Sequence, residues 1–320
     1  MRLQLASVGI ASMLLASCAP KVPDDPPRTS HVVVAITIDW EGAYVAPESL
    51  SQLAALREKL GGVAFTHFVS AAYLTKQVID PTFVTFLRDT AKHGDEIAMH
   101  LHVWTSLVRT SGVEPRTSPS FLTGNNEILQ LEDPDRAFDV DLDTYDAASL
   151  RRILRTSRKL LTDVGMDVST TFRAGGYLAS PRVRTAVREE GYTIDSSAIA
   201  EQSLAGSESP PLQERVREIW PKVTADAQPF TVDGLFELPI AAVVDYSTEK
   251  QLVDVLEGAV KRWQADPSHD VFVTIALHQE TASDFVKRLS TALDSVHTHV
   301  GTAMMFTTVE KAAFLARGEK

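Results

Sequence analysis

Two pairs of ionisable side chains have alternate spacing, and each pair follows an apolar run. Asp39 and Glu41 come after VVVAITI, and His100 and His102 come after EIAM. Side chains at i and i+2 of a β-strand point the same way, so each pair presents two functional groups to one side of its strand end. Two histidines and a carboxylate, with one position left for water, are common ligands of a hydrolytic zinc ion. The two pairs therefore indicate a metal-dependent hydrolase.

The elements that must position these pairs alternate regularly along the chain. Apolar, β-branched segments predict strands at 32–38, 63–70, 95–102, 168–173, 192–195, 234–240, 271–277 and 302–306. Amphipathic segments predict helices at 48–60, 81–93, 146–164, 180–190, 248–265, 281–297 and 308–317. Alternation of this kind is typical of a parallel sheet. We therefore predict an α/β fold, a single distorted (β/α) barrel of seven or eight parallel strands, rather than an open doubly wound sheet.

Two long segments, 105–143 and 199–233, interrupt the alternation, and we expect both to be irregular. The first follows the histidine strand directly, so it emerges at the carboxyl end of the barrel, where active sites of such barrels lie. It contains a run of alternating acids, Asp133, Asp135, Asp139, Asp141 and Asp143. The run lacks the glycine and terminal glutamate of an EF-hand, so we interpret it as a solvated acidic loop.

The N-terminal residues carry an export signal. Residues 1–17 have a short basic start and a moderately apolar stretch ending in LAS before Cys18, which resembles a bacterial lipoprotein signal peptide. Cys18, the only cysteine, would become the lipidated first residue; an ordinary secretory signal is the alternative. Residues 18–30 are rich in proline and indicate a flexible tether. We expect an exported protein, lipid-anchored to the bacterial cell envelope on its periplasmic or extracellular face.

Composition limits the partners. The net charge of −11 argues against nucleic-acid binding, which needs a basic face. An acidic exterior suits a neutral or cationic glycan better than a polyanion. Beyond the N-terminal signal, no segment is long and apolar enough to cross a membrane. The sequence therefore argues against a nucleic-acid partner, and we expect the membrane to be reached only through Cys18.

Six short motifs occur in chain order, each at the end of a predicted strand. They are TIDWEG at 37–42, AFTHFV at 64–69, HGDEIAMH at 93–100, TFRAGG at 171–176, LFELP at 235–239 and IALH at 275–278. Together they resemble the motifs of the polysaccharide deacetylases, the NodB homology domain of carbohydrate esterase family four. The resemblance extends from Val32 to Phe314 and implies a catalytic (β/α) barrel domain in residues 31–320.

Two departures indicate a divergent branch of that family, with Asp-x-Glu and His-x-His motifs. The family's first motif usually has adjacent aspartates, one serving as base and one as ligand, whereas Trp40 fills the second place here and the next acid is Glu41. The family's histidines are four residues apart, but Trp104 occupies that place and the nearest histidine is His102. Both pairs keep i, i+2 spacing, so the rearranged site is complete. The spacing leaves open which acid binds the metal.

The resemblance implies one divalent metal ion, zinc before cobalt or nickel, bound by Glu41, His100 and His102. It also implies that Asp39, aligned with the first aspartate of the family motif, removes a proton from the attacking water.

Other residues take supporting roles by the same resemblance. Arg173 would pair with Asp39 and keep it ionised. His278 would protonate the leaving amine, and Asp195 is the candidate to hold it as imidazolium, although a turn-forming role for Asp195 is equally open. Backbone N–H groups near Gly175 and Gly176 could support the oxyanion.

Several further side chains have ordinary interpretations. We interpret His67 as a hydrogen-bonded core histidine. Trp104, Tyr177 and Trp220 stay open as sugar-stacking platforms or as core residues.

Three functions follow in order. The first is an enzyme of the class that hydrolyses carbon–nitrogen bonds other than peptide bonds, here removing N-acetyl groups from a cell-envelope or extracellular polysaccharide and releasing acetate. The second is hydrolysis of a non-sugar C–N bond on the same scaffold. The third is a non-catalytic glycan-binding lipoprotein, against which the intact ionisable cluster argues.

Overall fold

The computed structural model of the chain describes residues 30–42, 44–76, 78–120, 140–207, 209–300 and 303–319. The signal peptide predicted at 1–17, Cys18 and the predicted tether up to residue 29 lie outside these residues, as do Asp133, Asp135 and Asp139. None of the helices in the described ranges combines the length and apolar character needed to cross a lipid bilayer.

Strands and helices alternate through most of the described chain. The strands are β1 (Val32–Trp40), β2 (Thr66–Ser70), β3 (Glu96–Leu101), β4 (Val168–Ala174), β5 (Ile194–Asp195), β6 (Phe230–Val232), β7 (Leu235–Glu237), β8 (Ile240–Val243), β9 (Val271–His278) and β10 (Met304–Thr307). The helices are α1 (Pro47–Lys59), α2 (Pro81–Ala91), α3 (Thr105–Thr110), α4 (Ala147–Asp163), α5 (Pro181–Glu189), α6 (Pro210–Ile219), α7 (Glu249–Ala265), α8 (Ala282–Val300) and α9 (Val309–Ala316). All seven predicted helices and seven of the eight predicted strands are confirmed, with small shifts of their ends; the strand predicted at 234–240 is divided between β7 and β8.

The strands form one sheet in the order β6-β7-β5-β4-β3-β2-β1-β9-β8, with β10 also paired to β1. β1 is long enough to pair with β10 in its first half and with β2 in its second, while β9 runs along its other edge. β7 and β8 are two halves of one interrupted strand, and a single bridge between Ile199 and Ile240 joins the two sides of the sheet. All pairings are parallel except that of β6 with β7, so the predicted distorted (β/α) barrel is confirmed.

The two faces of β1 show how the barrel is filled. Val32, Val34 and Ile36 pack into the layer between the sheet and the helices. Val33 and Ala35 point inward, into a small apolar cluster that includes residues of α9. The backbone N–H of Val309, at the start of α9, donates to Thr66 at the start of β2, so α9 closes the amino end of the barrel. Inward-facing residues further along β1 therefore lie at the carboxyl end of the barrel.

The two segments expected to be irregular are partly helical, so that prediction is wrong in part. α3 lies in the first segment and α6 in the second, where Leu212 and Val216 are buried against the barrel. The acidic-loop interpretation also fails at Asp141 and Asp143, since Arg215 of α6 contacts the two carboxylates at 2.5 and 2.7 Å. These aspartates join the loop to α6.

Candidate metal and catalytic site

The register of the sheet brings predicted site residues together at the carboxyl end of the barrel. Asp39 on β1 lies opposite His278 on β9, and His100 on β3 lies opposite Arg173 on β4. Glu41 follows the end of β1 and keeps the inward direction of Asp39, because successive side chains alternate along an extended chain. Acidic, imidazole and guanidinium groups from four strands thus lie together at the carboxyl end of the barrel.

Glu41, His100 and His102 form a group whose potential ligand atoms all lie within 4.8 Å of one another. The two Nε2 atoms are 3.1 Å apart, and His100 Nε2 is 3.3 Å from Glu41 Oε1. Two ligands of a tetrahedral zinc ion, each about 2.1 Å from the metal, lie about 3.4 Å apart, so these separations fit zinc. The distance of 2.5 Å between His102 Nε2 and Glu41 Oε2 is that of a short charge-assisted hydrogen bond.

The histidine rings are held by the neighbouring strand. His100 Nδ1 lies 3.1 Å from the carbonyl oxygen of Arg173. A carbonyl only accepts, so Nδ1 carries the proton and the lone pair of Nε2 points toward Glu41, as in many metal-binding histidines. A Cβ atom on Gly175 would lie 2.7 Å from the His102 ring. Glycine at this position therefore permits β4 to end against His102.

Glu41 supplies a negative charge despite its burial. Burial alone would raise the pKa of this carboxyl group, but the imidazoles of His102 and His100 hold that pKa well below its usual range. An anionic oxygen beside two imidazole nitrogens is a donor set that zinc accepts. The chemistry of these three residues therefore fits the predicted metal.

Asp39 forms a separate, fully buried pair with Arg173. Arg173 Nη1 donates to Asp39 Oδ1 at 2.6 Å, and the same guanidinium donates to Thr37 and to Ser196. Among the described residues, Asp39 Oδ2 has no hydrogen-bond partner although it is buried. Asp39 also groups with Glu41 and His278 rather than with His100 and His102. This placement favours Glu41 over Asp39 as the ligand and leaves one Asp39 oxygen available to a substrate or water.

His278 is held by Asp245, which follows β8. His278 Nδ1 lies 3.3 Å from Asp245 Oδ2, and the backbone N–H of His278 donates to the same oxygen at 3.2 Å. Nε2 faces Glu41 Oε1 at 3.5 Å. Burial alone would lower the pKa of this imidazole, but Asp245, with Glu41 and Asp39, raises it to about 10. These contacts favour the imidazolium form of His278.

The prediction that Asp195 holds His278 is wrong. Asp195 on β5 lies opposite Glu237 on β7 and accepts from the Ser197 hydroxyl at 2.5 Å. Burial raises the pKa of Asp195 to about 6, and burial beside Asp195 raises that of Glu237 well above its usual range. The sequence placed Asp195 at a strand end but could not show that β8, not β5, lies beside β9.

The three aromatic residues left open by the sequence are all buried. Trp104 stacks on the His102 ring, with centroids 5.3 Å apart, and the Trp220 indole donates to the Tyr177 carbonyl at 3.0 Å. Tyr177 has a positive φ of 65°, which is unusual for a residue with a side chain. In the described part of the chain its buried hydroxyl has no hydrogen-bond partner. Their burial argues against Trp104 and Trp220 as sugar-stacking platforms, whereas Tyr177 has a hydroxyl that a ligand could use.

Sequence reasoning missed Asp245 and Glu280. Asp245 follows the apolar run IAAVV as Asp39 follows VVVAITI, and that parallel could have identified it. Glu280 repeats the i, i+2 spacing, two residues after His278. Its Oε1 accepts from the backbone N–H of Glu41 at 3.1 Å, a contact that no sequence pattern predicts.

No protein family model matches this sequence, and no curated protein matches it. Several solved structures, however, are similar to this chain. A protein from Mycobacterium smegmatis assigned to the polysaccharide deacetylases has a TM-score of 0.55 at 15% identity, covering 94% of this chain and 95% of its own. One from Pseudomonas aeruginosa PAO1 with the same assignment has a TM-score of 0.50 at 13% identity, covering 88% and 89%.

A third solved structure, Puue allantoinase, is similar at a TM-score of 0.51 and 12% identity, covering 91% of this chain and 93% of that one. Identities this low support a statement about fold and leave activity to the site itself. The resemblance drawn from the sequence motifs is therefore confirmed in three dimensions: this chain has the (β/α) barrel fold of the polysaccharide deacetylases.

Proposed function

We propose that this protein is a zinc-dependent hydrolase that removes N-acetyl groups from a glycan. One observation carries the proposal. A ligand group, Glu41 with two histidines, lies directly beside an Asp39–Arg173 ion pair and a His278–Asp245 pair. Amide hydrolysis needs an activated water, a base and an acid, and these three groups can supply them.

Each residue has a distinct task in this reaction. Zinc bound by Glu41, His100 and His102 would polarise the amide carbonyl and lower the pKa of water toward about 7. Asp39 accepts the proton of the attacking water at its unpaired Oδ2, while Arg173 fixes its other oxygen.

Breakdown of the tetrahedral intermediate needs a proton on the departing amine. His278 donates that proton from Nε2, and Asp245 holds the ring by Nδ1. Backbone N–H groups near Gly175 and Gly176 stabilise the negative oxygen, because glycine allows close approach of the main chain. The Tyr177 hydroxyl is available to bind a polar group of the substrate.

A non-sugar C–N bond is the second candidate substrate. The similarity in fold to an allantoinase supports it, since that protein's name refers to a substrate without a sugar ring. Both reactions use the same metal, base and acid. A non-catalytic glycan-binding role is a third candidate, but such a protein would not need a buried ion pair next to two imidazoles.

The test compares acetate release from N-acetylglucosamine oligomers and other acetylated glycans with hydrolysis of small amides, including allantoin. The proposal expects zinc-dependent acetate release that Asp39→Asn removes. Hydrolysis of small amides without acetate release from any glycan would favour the second candidate. Zinc binding without hydrolysis of either class would favour the third.

We also propose that the protein is exported and lipid-anchored through Cys18. Support comes from the sequence and from the position of Ser30, which contacts Pro267 before β9 and thus lies at the amino end of the barrel, away from the site. Cys18→Ser should abolish lipid processing and detergent-phase partitioning. Unchanged partitioning of that variant would contradict the proposal.

A further inference from the structure

Glu41 lies one residue beyond the end of β1, where ladder hydrogen bonds no longer hold the main chain. The last strand pairings of β1 are Asp39 with His278 and Trp40 with Val69. A ligand placed beyond the last ladder pair needs other contacts to define its main chain. Side chains from two other strand ends provide them.

The backbone N–H of Glu41 is bonded to a buried carboxyl group. It donates to Glu280 Oε1 at 3.1 Å, and the hydroxyl of Tyr73 donates to the same oxygen at 2.5 Å. Tyr73 in turn stacks on Phe83, with centroids 4.5 Å apart. Glu280 thereby connects the main chain of Glu41 to the packed layer between the sheet and α2.

The backbone carbonyl of Glu41 is bonded to a buried indole. Trp104 Nε1 donates to this oxygen at 2.6 Å, and the Trp104 side chain is almost completely inaccessible. The same indole lies nearly parallel to the His102 ring, at an interplanar angle of 14°. One side chain thus contacts two of the three proposed ligands, His102 through its ring and Glu41 through its main chain.

We propose that Trp104 and Glu280 are positioning residues that hold Glu41 and His102 in a geometry able to bind the metal. The inference rests on the proposed metal site and is independent of the substrate. It also explains the departure at position 104: the indole occupies the place of the family's second histidine and supports the nearer one, His102. Groups that orient metal ligands typically contribute about 10–100-fold to metal affinity or activity.

Two variants separate the roles of the indole. Trp104→Phe keeps an aromatic ring against His102 and removes the N–H donor, whereas Trp104→Leu removes both. Trp263→Phe is the matched control, because Trp263 Nε1 donates to Ser30 Oγ at the opposite end of the barrel. We expect zinc affinity to fall about tenfold in Trp104→Phe and about 100-fold in Trp104→Leu.

Two variants separate hydrogen bonding from charge at position 280. Glu280→Ala removes the acceptor, and Glu280→Gln restores a neutral one. Glu96→Ala is the matched control, since Glu96 is a buried acid that accepts from Thr66 and from the backbone N–H of Glu310 near the amino end. Glu280→Ala should weaken zinc binding about tenfold, and Glu280→Gln should recover most of that loss.

The measurement is the zinc dissociation constant of metal-free protein, obtained by competition with a chromophoric chelator, with thermal unfolding recorded beside it. Wild-type zinc affinity in both Trp104→Phe and Glu280→Ala would overturn the inference, and so would equal losses in the Trp263 and Glu96 controls. A wild-type protein that binds no zinc would overturn both this inference and the proposed function. Weakened binding in the variants, with no acetate released by the wild type, would overturn only the proposed substrate.

Discussion

Two histidine clusters on neighbouring strands differ in how their hydrogen bonds are completed. His67 on β2 is fully buried between Trp40 and Asp95. Trp40 Nε1 donates to His67 Nδ1 at 3.0 Å, and His67 Nε2 lies 2.9 Å from Asp95 Oδ2. An indole N–H only donates, so Nδ1 accepts and Nε2 carries the proton. Every donor and acceptor on this ring has its partner, and the cluster needs no ligand.

The cluster around His100 on β3 is incomplete by the same accounting. His100 uses its Nδ1 proton on a backbone carbonyl, which leaves the Nε2 lone pair facing His102 Nε2 and Glu41. Lone pairs that converge with a carboxylate require a proton or a cation between them. The comparison indicates that the balance of donors and acceptors, rather than burial or residue type, distinguishes His67 from His100. Trp40 occupies the sequence position of the family's second acid, and its indole N–H donates to His67 instead.

The largest effect should come from the proposed base. Asp39→Asn should lower kcat by about 10²–10⁴-fold while the protein keeps its zinc, because the change removes a proton acceptor that is not a ligand. Glu41→Gln should instead weaken zinc binding, since it replaces a charged ligand by a neutral one. Measuring both the metal content and the turnover of the two variants distinguishes the base from the ligand. A metal-free Asp39→Asn protein together with a metal-replete, inactive Glu41→Gln protein would reverse the two roles.

The next effect separates Asp245 from Asp195. Asp245→Asn should lower kcat by up to about 10²-fold, because His278 loses the carboxylate that holds it as an imidazolium. Asp195→Asn should change kcat only a few-fold, since Asp195 lies opposite Glu237 on β7 rather than beside His278. Steady-state kinetics of the two variants provide the test, with circular dichroism as the control for folding. A larger loss in Asp195→Asn would restore the role that the sequence motif implied.

His67→Ala should cost stability without affecting the metal site. The change leaves the Trp40 indole N–H without its buried acceptor and removes one of the hydrogen bonds to Asp95, a loss of about 3 kcal/mol in the free energy of unfolding. Urea unfolding of the metal-free protein measures this loss. His100→Ala is the control, with a smaller loss of stability in metal-free protein. Equal stability of the His67→Ala and wild-type proteins would show that the complete cluster is not structural.

The smallest effect is the dependence of stability on acid pH. Burial opposes ionisation of Asp95, but hydrogen bonds from His67, Thr90 and the backbone of Phe65 lower its pKa to about 2. Because this pKa lies below that of the unfolded chain, the stabilisation is complete above about pH 4 and lost as pH falls toward 2. Asp95→Asn should remove roughly 2 kcal/mol of this dependence between pH 5 and 2. If the wild-type and Asp95→Asn proteins lost the same free energy of unfolding between pH 5 and 2, the assignment of this acid dependence to Asp95 would be wrong.

The sequence predicted the ligand group because alternation along a strand is a local property. The i, i+2 spacing of Glu41 with Asp39 and of His102 with His100 determines which side each faces, and apolar runs mark where strands end. The pairing of Arg173 with Asp39 was implied by the resemblance to the deacetylase motifs, and the ion pair is observed.

Contacts that depend on register or on main-chain groups could not be predicted in this way. Asp245 reaches His278 because the strand that begins at Leu235 is interrupted and its second half pairs with β9. Glu280 and Trp104 form hydrogen bonds with the main chain of Glu41. The pattern of residue types does not reveal such contacts. The short helix α6 was missed because it lies within a long segment judged irregular as a whole.

The zinc content of purified protein after dialysis against metal-free buffer tests the account most directly. We predict about one zinc ion per chain in the wild type and in folded His67→Ala, and far less in folded His100→Ala and His102→Ala. That result would separate the incomplete cluster from the complete one. Equal zinc in all four proteins, or none in the wild type, would contradict the assignment of Glu41, His100 and His102 as a metal site.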